Sequence, residues 1–292
     1  MKVRYPWHQG VAERLDMLRQ ADQLPNAIAL TCAPGWGHEE LLKHIAMMLL
    51  EEKVVRDVEV FAHTDFRWIV PDGAEIKVDQ IRRLNEFAVQ TRQAAPRKVA
   101  AILDAHLLND NAANALLKTL EEPPPNTHLL LATPFWGKLI PTVRSRCQRF
   151  QVAPDAALAK SWLQAQNLQL SETEFAEFGY APLAVPLPSE HASVDMTVWL
   201  AGLQMASLSS AVDDVLKTDL VAWLGRWYRR LLLHLGPAPI PDCSIDAREL
   251  AEFASELLSI RRQIESTNSA NSRLLLERLI VRWLQLQRRR PA

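Results

Sequence analysis

Cysteine is scarce in this chain, and its spacing is uninformative. Cys32, Cys147 and Cys243 are far apart, an odd and dispersed set that forms neither a disulfide framework nor a CxxC zinc pair. The histidines show no HxxxH or HExxH spacing, so neither residue type offers a metal site. An excess of either charge is also missing: Lys plus Arg is 33, Asp plus Glu is 34, and the net charge is −1. Bulk charge therefore does not drive the chain onto nucleic acid, and any DNA contact must come from a local patch. Long apolar runs are absent. The longest, Ile45 to Leu50, has six residues, against the ~20 needed to cross a bilayer. The opening MKVRYPW is not a signal sequence, and a cytoplasmic protein is expected. What is present is an ordinary globular composition, 48% hydrophobic and 23% charged, over 292 residues. That length suits two or three domains.

Residues 1 to about 152 alternate between strand and helix patterns. Ala27 to Leu30 is a short apolar run. The turn Ala33-Pro34-Gly35-Trp36-Gly37 follows, then a helical stretch predicted over 38–52. Val99 to Leu103 is a second strand. Asn109 or Asp110 can cap the next helix, whose apolar positions are Ala113, Leu116, Leu117 and Leu120. Pro123-Pro124-Pro125 ends it after Glu122. Leu129 to Ala132 is a third buried strand. Repeated βα alternation predicts a mostly parallel sheet with helices on both faces. The composition then changes: no Lys or Arg occurs from Ser161 to Leu216, and Pro182, Pro186 and Pro188 mark a linker region. From Val194 the pattern is helical. Leu220, Trp223, Leu224, Trp227 and Leu231 form one stripe, and Leu275, Leu276, Leu279, Trp283 and Leu286 another, within a helix predicted over 271–287.

The turn before the second helical stretch has the outline of a phosphate-gripping loop, GxxxxGK[ST], in which glycines admit backbone N–H groups to the phosphates. Gly35 and Gly37 preserve its shape, but Cys32 stands for the first glycine, His38 for the Lys and Glu39 for the hydroxyl residue. A carboxylate at ~4 Å from a triphosphate costs on the order of 4 kcal/mol at an effective dielectric of ~20. The electrostatics are thus reversed, and a turn that only packs is the favoured reading. Trp36 either fills nucleotide space or simply packs. The second strand ends in a lone acid, Asp104, where ATPases of this type carry an Asp-Glu pair; its plainer reading is a strand-end cap.

The strings Asn114-Ala115-Leu116-Leu117-Lys118-Thr119-Leu120-Glu121-Glu122-Pro123-Pro124, Leu131-Ala132-Thr133 and Ser145-Arg146-Cys147 closely resemble the bacterial clamp-loader subunits of the AAA+ family. Within that family they look like those of the delta-prime subunits of DNA polymerase III. Tyr5-Pro6-Trp7, His63-Thr64-Asp65 and Val78-Asp79-Gln80-Ile81-Arg82 corroborate the match. The resemblance covers residues 1 to about 152 well, the middle weakly, and the C-terminal helices only near 271–282.

The resemblance implies a P-loop-type AAA+ parallel-sheet domain over 1–152, a small helical lid over 153–192 and an all-α collar over 193–292. It aligns Leu103 with the family's magnesium Asp and Asp104 with its Glu, and it makes Thr133 the sensing residue. A lid arginine is expected where this chain has no base. The loop Lys, loop hydroxyl, magnesium Asp and lid Arg are all missing, so no cofactor, no metal and no intrinsic catalysis are expected. Arg146 is retained. In the family, this arginine enters the ATP site of the next subunit, and such fingers are worth roughly 10³–10⁵ in rate. Lys138, Arg144, Arg146 and Arg149 lie in a stretch without acids, which on its own reads as a solvated basic edge. Cys147 reads as a packing residue. The implied partners are the gamma/tau and delta subunits, with the sliding clamp and primer–template DNA reached through the assembly. No membrane partner is expected. Relatives often carry a zinc-binding cysteine cluster after the first helix; the stretch from Glu51 to Asp65 has none. The tail from 271 holds six arginines against one glutamate, which suits a solvated helix end or an acidic or DNA partner. Two rival readings stand: an active ATPase using His38 and Asp104 as substitutes, and a structural paralogue whose Arg146 has no target.

Overall fold

The computed structural model describes residues 3–52, 63–186, 196–236, 238–240, 243, 245–266 and 271–288. The predicted lid–collar boundary at 192, Pro188 of the predicted linker, Arg289 and Arg290 of the tail, and most of the cysteine-free stretch after Glu52 lie outside them. The chain divides into two compact units, residues 1–162 and 163–292.

Five strands form the sheet of the first unit: β1 (Ala27–Thr31), β2 (Phe66–Ile69), β3 (Lys98–Ile102), β4 (Thr127–Thr133) and β5 (Gln148–Gln151). Their order is β2-β3-β4-β1-β5, with every pairing parallel. β1, β3 and β4 are buried along their whole length, which is why they read as unbroken apolar runs. The sequence reading missed β2 and β5. They are the sheet edges, and β5 turns only Phe150 inward. Edge strands half open to solvent lack the continuous apolar signal.

The helices of this unit are α1 (Gln9–Gln20), α2 (His38–Leu50), α3 (Val78–Val89), α4 (Asp110–Glu121), α5 (Pro141–Arg144) and the start of α6 (Ala156–Ala165). α3 and α4 cover Ala100, Ile102, Leu129 and Leu131 of the sheet, and α2 lies against β1, β3 and β4. α2 stops at Leu50, short of the predicted Glu52, because Glu51 turns left-handed at φ 60°. Asn109 is the cap of α4, accepting the Ala112 N–H at 2.9 Å. Asp65 is fully buried and accepts the N–H groups of Gln93, Ala94 and Ala95, which ties down the loop ahead of β3.

The second unit is helical, with α7 (Glu172–Glu177), α8 (Met196–Gly202), α9 (Leu208–Leu216), α10 (Leu220–His234), α11 (Ala247–Ser266) and α12 (Ser272–Arg288). Its core joins Trp223, Leu224, Trp227 and Leu231 to Phe253, Leu257, Leu276, Leu279 and Trp283, so both predicted stripes are buried faces. Glu177 is buried at 1% exposure and pairs with Arg226 and Arg230, each at 3.4 Å. Among the described residues no helix is long and apolar enough to cross a membrane.

Candidate functional site at the strand ends and the Ser-Arg-Cys turn

β1 runs into the turn that resembles a phosphate loop. Gly35 and Gly37 take φ values of 75° and 77°, a left-handed backbone that glycine reaches without steric cost. Gly37 is also the N-cap of α2. Between them Trp36 is buried at 2% exposure and meets Trp7 edge-to-face at 5.4 Å. The Trp36 carbonyl accepts two hydrogen bonds, from Trp7 Nε1–H at 2.9 Å and His8 Nε2–H at 2.8 Å. Tyr5 stacks on Trp7 at 5.0 Å, and Trp162 meets both rings edge-on. The turn is therefore clamped by an aromatic cluster built largely from the N-terminal segment. Trp36 is a packing residue of that cluster. Burial pushes His8 down to about 4, so its ring is neutral near pH 7. Burial pushes the Cys32 thiol up to about 12.

The C-terminal ends of β1, β3 and β4 lie side by side, the region where open α/β sheets place their ligands. Here the sequence-predicted residues meet one another. His38, in the loop-lysine position, donates Nε2–H to Asp104 Oδ1 at 2.9 Å. Asp104 leaves β3 in the left-handed region at φ 50°. Burial pushes its carboxyl up, but the His38 hydrogen bond and the His38 and His106 rings outweigh this and hold it below its ordinary value. Asp104 is thus a bonded partner of the turn, which goes beyond capping a strand. Thr133 is fully buried at the end of β4; its Oγ1 lies 3.1 Å from His106 Nδ1 and accepts the Phe135 N–H at 3.0 Å. His106 links the two halves, its Nδ1 3.9 Å from Asp104 Oδ1. The sequence reading missed His106. Its position two residues past a charged strand end was the available signal. Glu39 is engaged one helical turn onward with Lys43 at 2.6 Å. The polar side chains of this turn are therefore satisfied by the chain itself.

The Ser-Arg-Cys turn follows α5, whose first residue is Pro141, a position that needs no N–H. Ser145 Oγ donates to the Thr142 carbonyl at 3.0 Å. Arg146 is exposed; its Nη1 donates to Thr142 O at 2.9 Å and lies 3.3 Å from Ser145 Oγ, and its Nη2 donates to the carboxylate of Glu121 at the end of α4. Cys147 is half-buried against the sheet–helix core, and burial pushes its thiol up to about 12, which leaves it unreactive. Arg149 binds Thr31 Oγ1 at 3.1 Å and covers the Trp136 ring at 5.0 Å, while Lys138 lies over Phe135 at 4.7 Å. Arg146, Ser145 and Cys147 take no part in the His38–Asp104–Thr133 network. Among the described residues no group of three or more His, Cys, Asp or Glu could hold a metal ion.

A parallel five-stranded sheet with a glycine turn leading from β1 into α2 defines a P-loop-type AAA+ fold, here followed by a helical unit. The chain belongs to the delta-prime family of DNA polymerase III subunits: residues 7–156 match the family described as "DNA polymerase III, delta subunit". The chain is 30% identical to the DNA polymerase III subunit delta' of Pseudomonas aeruginosa, over 97% of this chain and 98% of the relative. It is 28% identical to the Escherichia coli subunit of that name, over 95% and 94%. A gamma subunit from Buchnera aphidicola is similar over a shorter stretch, 41% identical across 27% of this chain and 22% of its own length. Among solved structures, a gamma-subunit-related protein of Thermotoga maritima superposes with a TM-score of 0.56 at 19% identity, covering 94% of this chain and 99% of its own; that likeness concerns the fold alone.

Proposed function

We propose that this chain is a non-hydrolysing subunit of the DNA polymerase III clamp loader that donates Arg146 to the ATP site of a neighbouring subunit. The observation that carries this reading is the Arg146 side chain, exposed and held by Thr142 and Glu121 at a turn outside the chain's own strand-end site. A guanidinium keeps its charge and offers a planar fork to phosphate oxygens, the chemistry a finger in trans requires. The strand-end site supports the same reading from the other side. A nucleotide phosphate placed there would have to displace Asp104 from His38, with no lysine in the loop position to replace the lost charge. In this proposal residues 153–192 form the lid and 193–292 the collar, and the partners are the gamma/tau and delta subunits. The sliding clamp and primer–template DNA are engaged through the assembly.

The test mixes the purified chain with cognate gamma/tau and delta subunits and measures clamp- and DNA-stimulated ATP hydrolysis. Arg146→Ala is expected to slow hydrolysis at the neighbouring site by roughly 10³–10⁵, seen as a partial loss of the total rate. The isolated chain is expected to be inert. Hydrolysis by the isolated chain would overturn the reading in favour of an ATPase using His38 and Asp104. An unchanged rate with Arg146→Ala in an intact complex would leave a structural paralogue.

A further inference from the structure

We infer that Glu121 is a positioning residue for Arg146, holding the guanidinium in the orientation from which it is delivered. This rests on the finger reading above and adds a second residue to it. Glu121 is the last residue of α4, immediately ahead of Glu122 and the three prolines that stop the helix. A carboxylate in the last turn of a helix opposes the macrodipole, so the position is unfavourable to the helix itself. What the position provides is reach: the carboxylate accepts from Arg146 Nη2 across the gap between α4 and the turn after α5. The other arm, Nη1, is taken by the Thr142 carbonyl at 2.9 Å and by Ser145 Oγ at 3.3 Å. Acceptors from two separate elements thus define the plane of the guanidinium. Thr142 and Ser145 belong to the arginine's own turn, whereas Glu121 ties the side chain to α4, a separate element packed on the same core.

The exposure of the pair suits this task. About a third of the Arg146 side chain and half of the Glu121 side chain face solvent, so the guanidinium is held but not buried. Solvent-exposed ion pairs of this kind are weak and exchange readily. A phosphate with more charge and more oxygens can therefore take the free N–H groups without meeting a deep trap. An arginine left without such a brace samples many rotamers, and that freedom would have to be lost each time the finger engages.

The experiment uses the assembled complex with clamp and primed DNA, and compares wild type, Glu121→Ala, Glu121→Gln, Arg146→Ala and the double variant Glu121→Ala/Arg146→Ala. Glu121→Ala is expected to lower kcat about fivefold at the neighbouring site with KM for ATP unchanged, equivalent to about 1 kcal/mol. Glu121→Gln, which keeps an acceptor oxygen, should recover part of that loss. The double variant should match Arg146→Ala alone, since a brace without its arginine has nothing to hold. Thermal melts of each variant separate misfolding from mispositioning. Unchanged or raised kcat with Glu121→Ala, or additive losses in the double variant, would overturn the positioning role while leaving the finger intact. An Arg146→Ala complex with full activity would remove the finger reading, and the brace with it.

Discussion

At the residue scale, two buried groups, His8 and Asp65, contribute to the acid sensitivity of this protein. His8 donates to the Trp36 carbonyl and is held near pKa 4 by burial, whereas an unfolded histidine titrates near 6.5. As pH falls below about 6.5 the unfolded chain takes up a proton that the folded chain refuses. Stability should therefore drop by about 3 kcal/mol between pH 6.5 and 4 and then level off. Denaturant titrations across that window should show the slope, and His8→Gln, which retains an N–H donor, should reduce it. Asp65 behaves with the opposite charge type. Burial pushes its carboxyl up, but three backbone N–H donors outweigh burial and hold it below the ordinary range. Its contribution is present above the normal carboxylate pKa and is lost as pH falls through the lower folded value. Asp65→Ala orphans three donors and is expected to cost about 3 kcal/mol, read as a lower denaturation midpoint at pH 7.

At the element scale, legibility followed burial. α4 could be read to within a residue because an Asn cap opens it and three prolines close it, both local signals. Asn109→Ala removes the bond to the Ala112 N–H and should cost about 1 kcal/mol of stability in a thermal melt. β2 and β5 escaped because an edge strand needs only one buried face. The α2 start was legible in outline, since Gly35 and Gly37 mark a turn, but the left-handed φ of Gly37 at the cap is a property of the folded turn. Gly37→Ala places a Cβ where the backbone is left-handed and should cost about 1–2 kcal/mol. Circular dichroism melts of that variant would reveal the loss.

At the scale of the whole molecule, the second compact unit, residues 163–292, carries its own buried ion-pair cluster. The buried Glu177 lies in the segment expected to be a lid, and its partners Arg226 and Arg230 lie in α10, so one ion-pair cluster ties together the second unit. Removing one partner of a buried pair typically costs 3–5 kcal/mol because the remaining charges are left uncompensated. Glu177→Ala is expected to lower protection from hydrogen exchange by about that amount across α10 and α11. Unchanged protection in α10 would contradict the role of this cluster.

The sequence by itself determined the parallel α/β class, the two amphipathic stripes of the helical unit, the reversed charge of the phosphate-loop turn and the singling out of Arg146. The first three depend on spacing and residue type within contiguous segments, where a period of 3.6 residues, a cap or a proline acts locally, while Arg146 is singled out by the resemblance of its Ser-Arg-Cys string to clamp-loader subunits. Only the tertiary structure decided what those residues touch. His38 and Asp104 are 66 positions apart, Trp7 and Trp36 are 29, and Glu121 and Arg146 are 25. Parallel strands joined by crossover helices bring such distant residues to one end of a sheet, and no local spacing encodes which side chain will face which.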